Sequence, residues 1–401
     1  MGAGTAMPDG SGFVRPGEIE DMTNGSRRKR LTLLAMGLLT LATVVAGCTG
    51  PENRQNSLRP AGEEARKIDD LFMFVVVIAT IVGIFVCVGV VVAAIKFRAR
   101  PGKNENPKQV HGNTALEVGW TLLPAVILAV VAVPTVALIF QLNDAPKPSA
   151  LDVRVVGKQW WWQFEYPAEK GGTKVVTANE MHIPVGREIN AELTACDPSL
   201  GTPPTGGCNV IHSFWVPELN GKRDVVPGHD NTLTFTAEKE GTYLGQCAEY
   251  CGLSHANMRF RVIVQSEAEF EEWLEEQRDG PAVTLEEAGR AGTLFSKKFG
   301  CTNCHTTEDS SLSVYGPNLT HLASRETFAS GYYQLNRKRL IDWILDAPSM
   351  IPMEAAECRL PPGPGVTCVG MPSFVNDTPA GQPTMTRAEA EEIADYLLQL
   401  D

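Results

Sequence analysis

Residues 245–258 read GQCAEYCGLSHANM, which places two cysteines, a histidine and a methionine between Cys247 and Met258. The spacing is C-x-x-x-C-x-x-x-H-x-x-M, and it follows directly on GTYLGQC, a segment that alternates as a strand does. Thiolate, imidazole and thioether are together the donors that a soft, redox-active copper prefers, whereas zinc seldom takes methionine. A second imidazole is available at His212 in NVIHSFWVP, 35 residues before Cys247, at a predicted strand end. Two cysteines in place of one suggest bridging thiolates and hence a pair of copper ions. The competing reading is a Cys247–Cys251 disulfide, which suits an oxidising compartment but leaves His212, His255 and Met258 without a purpose.

Outward from this stretch, the chain is too long for one small core: 401 residues, 43% hydrophobic and 20% charged, imply several domains. Three uncharged apolar runs stand apart. The first, 31–47, follows Arg27-Arg28-Lys29-Arg30 and ends in small residues before Cys48, the layout of a signal peptide with a lipoprotein-type cleavage site. An uncleaved anchor is the alternative, because run length alone does not decide between them. The runs 71–95 and 118–142 are 25 residues each, long enough to span a membrane as helices. Between them lie Lys96, Arg98, Arg100, Lys103 and Lys108 against Glu105 and Glu117, so the positive-inside rule places this loop in the cytoplasm. Everything after Leu142 then lies outside. A net charge of −12 argues against nucleic acid as a partner and suits basic soluble proteins.

The predicted organisation is a leader over 1–47, then an N-terminal segment with the two membrane helices over 48–145. Short alternating segments over 146–265 (LDVRVVG, QWWWQFEY, REINAELTA, NTLTFTA, GTYLGQC, MRFRVIV) predict an all-β sandwich. One histidine from a mid-sequence strand, with Cys, His and Met from a late loop, is the general plan of blue-copper proteins. Ser266 caps an amphipathic helix that ends before Gly280, and 266–283 forms this helix and a linker. A compact helical domain fills 284–401 and closes on RAEAEEIADYLLQL.

GQCAEYCGLSHANM, IHSFWVPELNGKRDVVPG and GKQWWWQFEY, after two membrane helices, resemble subunit II of the haem-copper cytochrome c oxidases. The resemblance covers 65–265 and implies a cupredoxin-like sandwich with a binuclear CuA centre. Carried over, the ligands are Cys247, Cys251, His212, His255, Met258 and the Glu249 carbonyl. It also implies that the Glu249 carboxylate helps hold a Mg²⁺ shared with subunit I, and that Trp160 is where electrons enter from cytochrome c. Glu117 matches an acid near the mouth of a proton channel in subunit I. The ordinary alternatives are packing for Trp160 and an interfacial charge for Glu117.

FGCTNCHT carries the C-x-x-C-H signature of covalently attached haem c, with Cys301 and Cys304 as thioethers and His305 as an iron ligand. A redox dithiol is the alternative reading. The region resembles small class I cytochromes c, where a Met-Pro segment precedes the last helix, and this implies Met371 as the distal ligand; Met350 and Met353 are rivals. Cys196–Cys208 and Cys358–Cys368 flank two loops and are expected to pair as disulfides on the oxidising side. Cys87 reads as an apolar filler in the first membrane helix. His111, His182, His229 and His321 show no ligand spacing.

The expected protein is therefore multidomain: a two-helix transmembrane hairpin, a cupredoxin-like all-β sandwich and an all-α class I cytochrome c domain. The expected function is electron delivery in a proton-pumping terminal oxidase of the bacterial plasma membrane. Electrons would pass from cytochrome c or another donor through haem c and CuA to subunit I, where oxygen is reduced to water. The GP-containing linker is expected to let the haem domain dock without fixing one orientation. The alternatives are a CuA subunit of a nitric oxide reductase-like enzyme and a membrane-bound copper or haem electron-carrier lipoprotein.

Overall fold

In a computed structural model, the described residues are 32, 36–37, 39, 55–98, 109, 111–168, 172–195, 210–312, 315–353, 370–375 and 383–401. The expected leader and Cys48, most of the basic loop (Arg100, Lys103 and Lys108), and both cysteine pairs at 196/208 and 358/368 lie outside them, the four leader positions apart. The chain divides into two units, Met1–Asn53 and Arg54–Asp401. In the first, Thr32, Met36, Gly37 and Leu39 are helical and exposed.

The second unit opens with α1 (Glu63–Lys96) and α2 (Thr114–Gln141), both long and apolar enough to cross a membrane. Each starts before its apolar run. The Asn113 side chain accepts from the Ala115 and Leu116 amides, which caps α2 four residues ahead of the expected start. α1 begins eight residues early because its polar first turns bind protein rather than lipid. Ala61 and Ala65 are buried, the Glu64 carboxylate accepts the Thr236 amide at 2.8 Å, and Arg66 pairs with Glu238. Further along, the side chains from Phe72 to Ile95 on α1 and from Leu116 to Phe140 on α2 include many large exposed apolar groups. In water such a surface would be a liability; a bilayer covers it.

Two five-stranded sheets form the sandwich. One has the order β3-β2-β1-β5-β8, from Val175–Ala178, Trp161–Tyr166, Leu151–Lys158, Glu188–Thr194 and Asn231–Thr236. The other has the order β4-β10-β9-β6-β7, from Glu180–Pro184, Arg259–Gln265, Gly241–Cys247, His212–Trp215 and Arg223–Val225. β1 with β5 and β4 with β10 pair in parallel, and the other ladders are antiparallel. Inward residues such as Val153, Val155, Phe164, Met181 and Val262 are 0% exposed. Aromatic rings fill the end of the core nearest the metal-ligand stretch: Phe214 stacks on Phe260 at 4.6 Å between centroids, and Trp162 lies 5.3 Å from Phe260. Gly245 lies under this cluster, where a Cβ would stand 2.2 Å from Phe260 Cζ.

α3 (Glu267–Arg278) is closed by a Ser266/Glu269 capping box, as its sequence predicts. The C-terminal segment adds α4 (Arg290–Thr293), α5 (Arg337–Met350) and α6 (Arg387–Leu397) around Phe295, Leu340, Ile344, Ile393 and Leu397. It also holds a two-residue ladder, β11 (Thr327–Phe328) with β12 (Tyr333–Gln334), which a purely helical reading did not include. Thr386 and Glu389 cap α6, and Glu389 also pairs with Lys298 on the turn before Cys301. That ion pair and the cap hydrogen bonds hold the Glu389 carboxyl down at about 2.

The linker is not a loose connection. Val283 and Leu285 pack on the C-terminal core, and the Leu285 amide donates to Glu308. The C-terminal segment bonds directly to the sandwich: the Val176 amide donates to Ser310 O at 2.8 Å and the Arg259 amide to Ser330 O at 3.2 Å. In the structure the C-terminal segment is thus seated directly on the sandwich, by contacts that the linker's sequence does not announce.

Candidate metal centre and cofactor cavity

β9 ends at Cys247, directly opposite Phe214 of β6, and His212 begins β6 two residues earlier. The loop after Cys247 returns on itself, because the Cys247 amide donates to Met258 O at 3.0 Å and the Ala248 amide to Ser213 O at 2.9 Å. This closure gathers the soft donors. Cys247 Sγ lies 3.8 Å from Cys251 Sγ and 3.8 Å from His212 Nδ1. Cys251 Sγ lies 3.6 Å from His255 Nδ1 and 3.8 Å from Met258 Sδ. The Glu249 carbonyl approaches Cys247 Sγ at 3.2 Å. Cys251 thus touches three of the other donors, and His212, Cys247, Cys251 and Met258 are all buried.

The sulfurs stand nearly twice an S–S bond length apart, so they are not bridged in the structure, and their neighbours are imidazoles and a thioether. The contact between the two sulfurs sets their acidities apart. Hydrogen bonding from Cys251, then from His212, favours the Cys247 thiolate, and the same contact holds Cys251 protonated. Cys247, Cys251, His212, His255, Met258 and the Glu249 carbonyl would together offer two sulfurs that ligate as thiolates, two imidazoles, a thioether and a carbonyl, a donor set that fits copper.

Trp160 lies beside this cluster. Its Nε1 donates to Cys251 O at 3.0 Å, and Gln159 Nε2 donates to the same oxygen at 2.9 Å. Gly252, at φ +114°, allows this approach; a Cβ there would meet Trp160 Cζ2 at 3.1 Å. Trp160 is 6% exposed because the C-terminal segment covers it, with the Ser330 hydroxyl donating to the Trp160 carbonyl.

A cavity with about 1010 Å³ of empty space, partly open to solvent, separates Trp160 from the C-terminal core. Trp160, Trp161, Ser254 and Asn257 form one wall, and Cys301, Cys304, His305 and Met371 belong to the other. A second cavity of about 670 Å³ also touches Cys301, His305 and Met371, and Asn179 of the sandwich lines it. His305 Nδ1 lies 2.8 Å from the Pro317 carbonyl, which calls for a proton on Nδ1 and leaves Nε2 as the free ligand atom. Gly316 is required beside it, since a Cβ would fall 2.6 Å from His305 Cε1. Burial pushes Cys301 up to about 12 and Cys304 up to about 11, the reverse of the lowered thiol pKa that a redox dithiol needs. Of the three candidate methionines, Met371 lines both cavities, Met353 lines the first alone and Met350 neither.

The periplasmic-domain model of cytochrome c oxidase subunit II matches residues 151–266, and the transmembrane-domain model of the same subunit matches 52–138. Cytochrome c oxidase subunit 2 of Alkalihalophilus pseudofirmus is 37% identical over 325 residues, covering 79% of this chain and 88% of that protein. The corresponding subunit of Bacillus subtilis is 31% identical over 342 residues, 80% of this chain and 90% of that one. Quinol oxidase subunit 2 of Bacillus anthracis is 30% identical over 252 residues, 61% of this chain and 80% of that protein. The chain belongs to the cytochrome c oxidase subunit II family.

As a subunit II it is a membrane protein with an extracytoplasmic domain, and it works within an oxidase complex beside a subunit I. Its periplasmic domain implies copper of the CuA type. Glu117 is not part of the site: it is exposed in the first turn of α2, about 36 Å along the helix from the end that leads to the sandwich. Glu249 is half-buried, and its carboxylate accepts the Tyr250 amide at 3.0 Å.

Sequence reasoning missed the residues that shape this subunit II site without ligating: Gln159, Gly157, Gly252 and Gly316. Glycines inside a strand or beside a ligand are a readable signal of close approach, and Gly157 of β1 is one. A Cβ there would stand 2.8 Å from His212 Cδ2. Gly157→Ala is expected to push the imidazole off its line to Cys247 and weaken copper retention about 10- to 100-fold. Copper content after dialysis against graded chelator measures it; wild-type retention would refute the role.

Proposed function

We propose that this chain is the electron-delivering subunit II of a terminal cytochrome c oxidase in a bacterial plasma membrane, carrying both binuclear CuA and a covalently attached haem c. The convergence of Cys247, Cys251, His212, His255 and Met258 within mutual reach carries the copper half of this reading. A quinol-oxidising subunit has no use for that donor set. For the haem half, support comes from Cys301, Cys304 and His305 on one wall of a cavity that also holds Met371. The similarity to the Alkalihalophilus subunit also extends past the sandwich, since 79% of the chain is more than residues 1–266 contain.

When bound, copper and haem supply one-electron redox chemistry. The chain's own residues do the rest. His305 is held in one tautomer by Pro317 O, so its Nε2 would be the atom that binds haem iron. Trp160 and Gln159 fix the Cys251 carbonyl, and with it the pitch of the ligand loop. Trp160 forms a covered wall between the two cofactor sites, so in this reading it serves the intrachain contact, and an external donor meets the C-terminal domain. Glu249 offers its carboxylate to a Mg²⁺ shared with subunit I, and Glu117 stands at the cytoplasmic end of α2, beside a proton entrance in subunit I. The domains in this reading are a leader to 47, the hairpin to 145, the sandwich to 265, a helix and linker to 283 and the cytochrome domain to 401. Cys48 would be lipidated, and the cysteine pairs 196/208 and 358/368 would be bridged.

Purifying the complex and counting copper, haem c and haem a per chain tests this. Two coppers and one covalent haem per chain are expected, together with the near-infrared band of mixed-valence copper. Copper absent, with Cys247 and Cys251 oxidised to each other, would overturn the copper assignment.

A further inference from the structure

The seat between the sandwich and the C-terminal domain contains a buried acid that the proposed electron path does not use. β4 and β10 run side by side in parallel, with Glu180 directly opposite Arg261. Both side chains reach out of the sandwich to one turn of the C-terminal domain, Arg325-Glu326-Thr327. Glu180 Oε1 accepts the Thr327 amide at 2.9 Å and the Thr327 hydroxyl at 2.5 Å, and Oε2 accepts the Glu326 amide at 3.2 Å. Arg261 Nη1 meets Glu326 Oε2 at 2.6 Å. Glu180 therefore takes the amides and hydroxyl of the turn, while Arg261 on the adjacent strand takes its acid.

Glu180 is 2% exposed, and a carboxyl taken out of water is tolerated only when its oxygens are filled. Burial pushes its pKa up, while the Thr327 hydroxyl and the Arg325 charge pull it back. Arg325 is in turn fixed by its Nη2 bond to Asn318 O at 2.6 Å. Arg325 also lines the cavity that Cys301, His305 and Met371 line. The turn is thus an anchor on one side and a cofactor wall on the other. Five residues past Arg325 the chain reaches Ser330, which bonds to the Trp160 carbonyl, and Tyr332, whose ring carries the Arg259 guanidinium at 4.8 Å.

We propose that Glu180 is a positioning residue: by accepting the Glu326 and Thr327 amides and the Thr327 hydroxyl, beside the Arg261–Glu326 pair, it locks the C-terminal domain in the orientation that seats its cofactor cavity against Trp160. The consequence for electron delivery rests on the reading that this domain carries haem c; the lock itself does not. Its strength lies in the buried Glu180 contacts, since the Glu326 side chain is 58% exposed and its pairing with Arg261 is weakened by solvent.

The test uses the full chain in its complex, as wild type, Glu180→Ala and Glu180→Gln. Amide hydrogen exchange across 326–330 and at Arg259 reads the seat without any cofactor; in Glu180→Ala it should accelerate at least tenfold. Glu180→Gln, which keeps an acceptor oxygen for Thr327, should recover a large part of the protection. After flash reduction of haem c, transfer to copper should slow at least tenfold in Glu180→Ala, with copper and haem content and haem potential unchanged, and Glu180→Gln should restore it in part. Wild-type exchange in a copper-loaded Glu180→Ala chain would overturn the proposal. If that variant does not fold, Thr327→Val removes one contact from outside the sandwich and should speed exchange at 326–327 several-fold; unchanged protection there overturns the proposal equally. A wild-type chain without covalent haem would sink the proposed haem function and leave the exchange result to decide the lock.

Discussion

A Cys251→Ser chain should still insert and fold its sandwich, yet retain no binuclear copper and lose oxidase turnover with reduced cytochrome c by ~100-fold or more. The size of the effect follows from the position of Cys251. Its sulfur is the common neighbour of Cys247, His255 and Met258. A serine oxygen is harder, remains protonated and is a poor bridge between soft ions, so the change removes the shared ligand rather than one contact among several. The fold is expected to survive because the loop is closed by backbone bonds at Cys247, Ala248 and Met258, none of which uses the Cys251 side chain. Metal analysis and near-infrared absorbance of the purified complex decide the matter. Near-normal copper in Cys251→Ser would mean that the ligand set has been misassigned.

The second large effect is expected from removing both haem thiols, Cys301→Ala together with Cys304→Ala. Covalent haem should vanish from denaturing gels while the copper signal remains, because no ligand of the copper set lies in the C-terminal domain. Turnover with a protein donor should fall by ~10-fold or more, the donor having lost its site of entry. The cavity walls explain a further loss. Phe295, Leu340 and Ile344 line space that a cofactor would fill, and apolar side chains left facing unfilled space destabilise the domain around them. The C-terminal domain should therefore unfold at lower denaturant than the sandwich in the variant. Haem staining that persists would show attachment elsewhere.

Much of this arrangement was legible in the sequence because its signals are local. The donors of the copper set sit in one loop plus one strand, and their spacing alone picked out Cys247, Cys251, His255 and Met258. Ser266 and Gly280 bounded α3 for the same reason. What was not legible depended on contacts between distant residues. β3, β4 and β7 were passed over: Val175–Ala178 is buried at every position, so it has no alternation to read, and the left-handed Asn179 breaks it from β4 after four residues. The early start of α1 was hidden as well, because Glu64 and Arg66 look like solvent residues until Thr236 and Glu238 are placed beside them. The seat of the C-terminal domain was the largest omission. A Gly-Pro linker suggested freedom, whereas Glu180 and Ser330, 150 residues apart in sequence, both tie that domain to the sandwich.

The polar turns at the start of α1 have a mechanical meaning. α1 runs for 34 residues, about 51 Å, well beyond the ~30 Å of hydrocarbon it crosses, and its surplus turns are bonded to the sandwich through Glu64 and Arg66. The helix therefore acts as a rigid mast rather than a leash. The sandwich keeps a fixed altitude above the lipid, and a thicker or thinner bilayer would tip sandwich and helix together instead of letting the copper loop bob independently over its neighbour in the membrane.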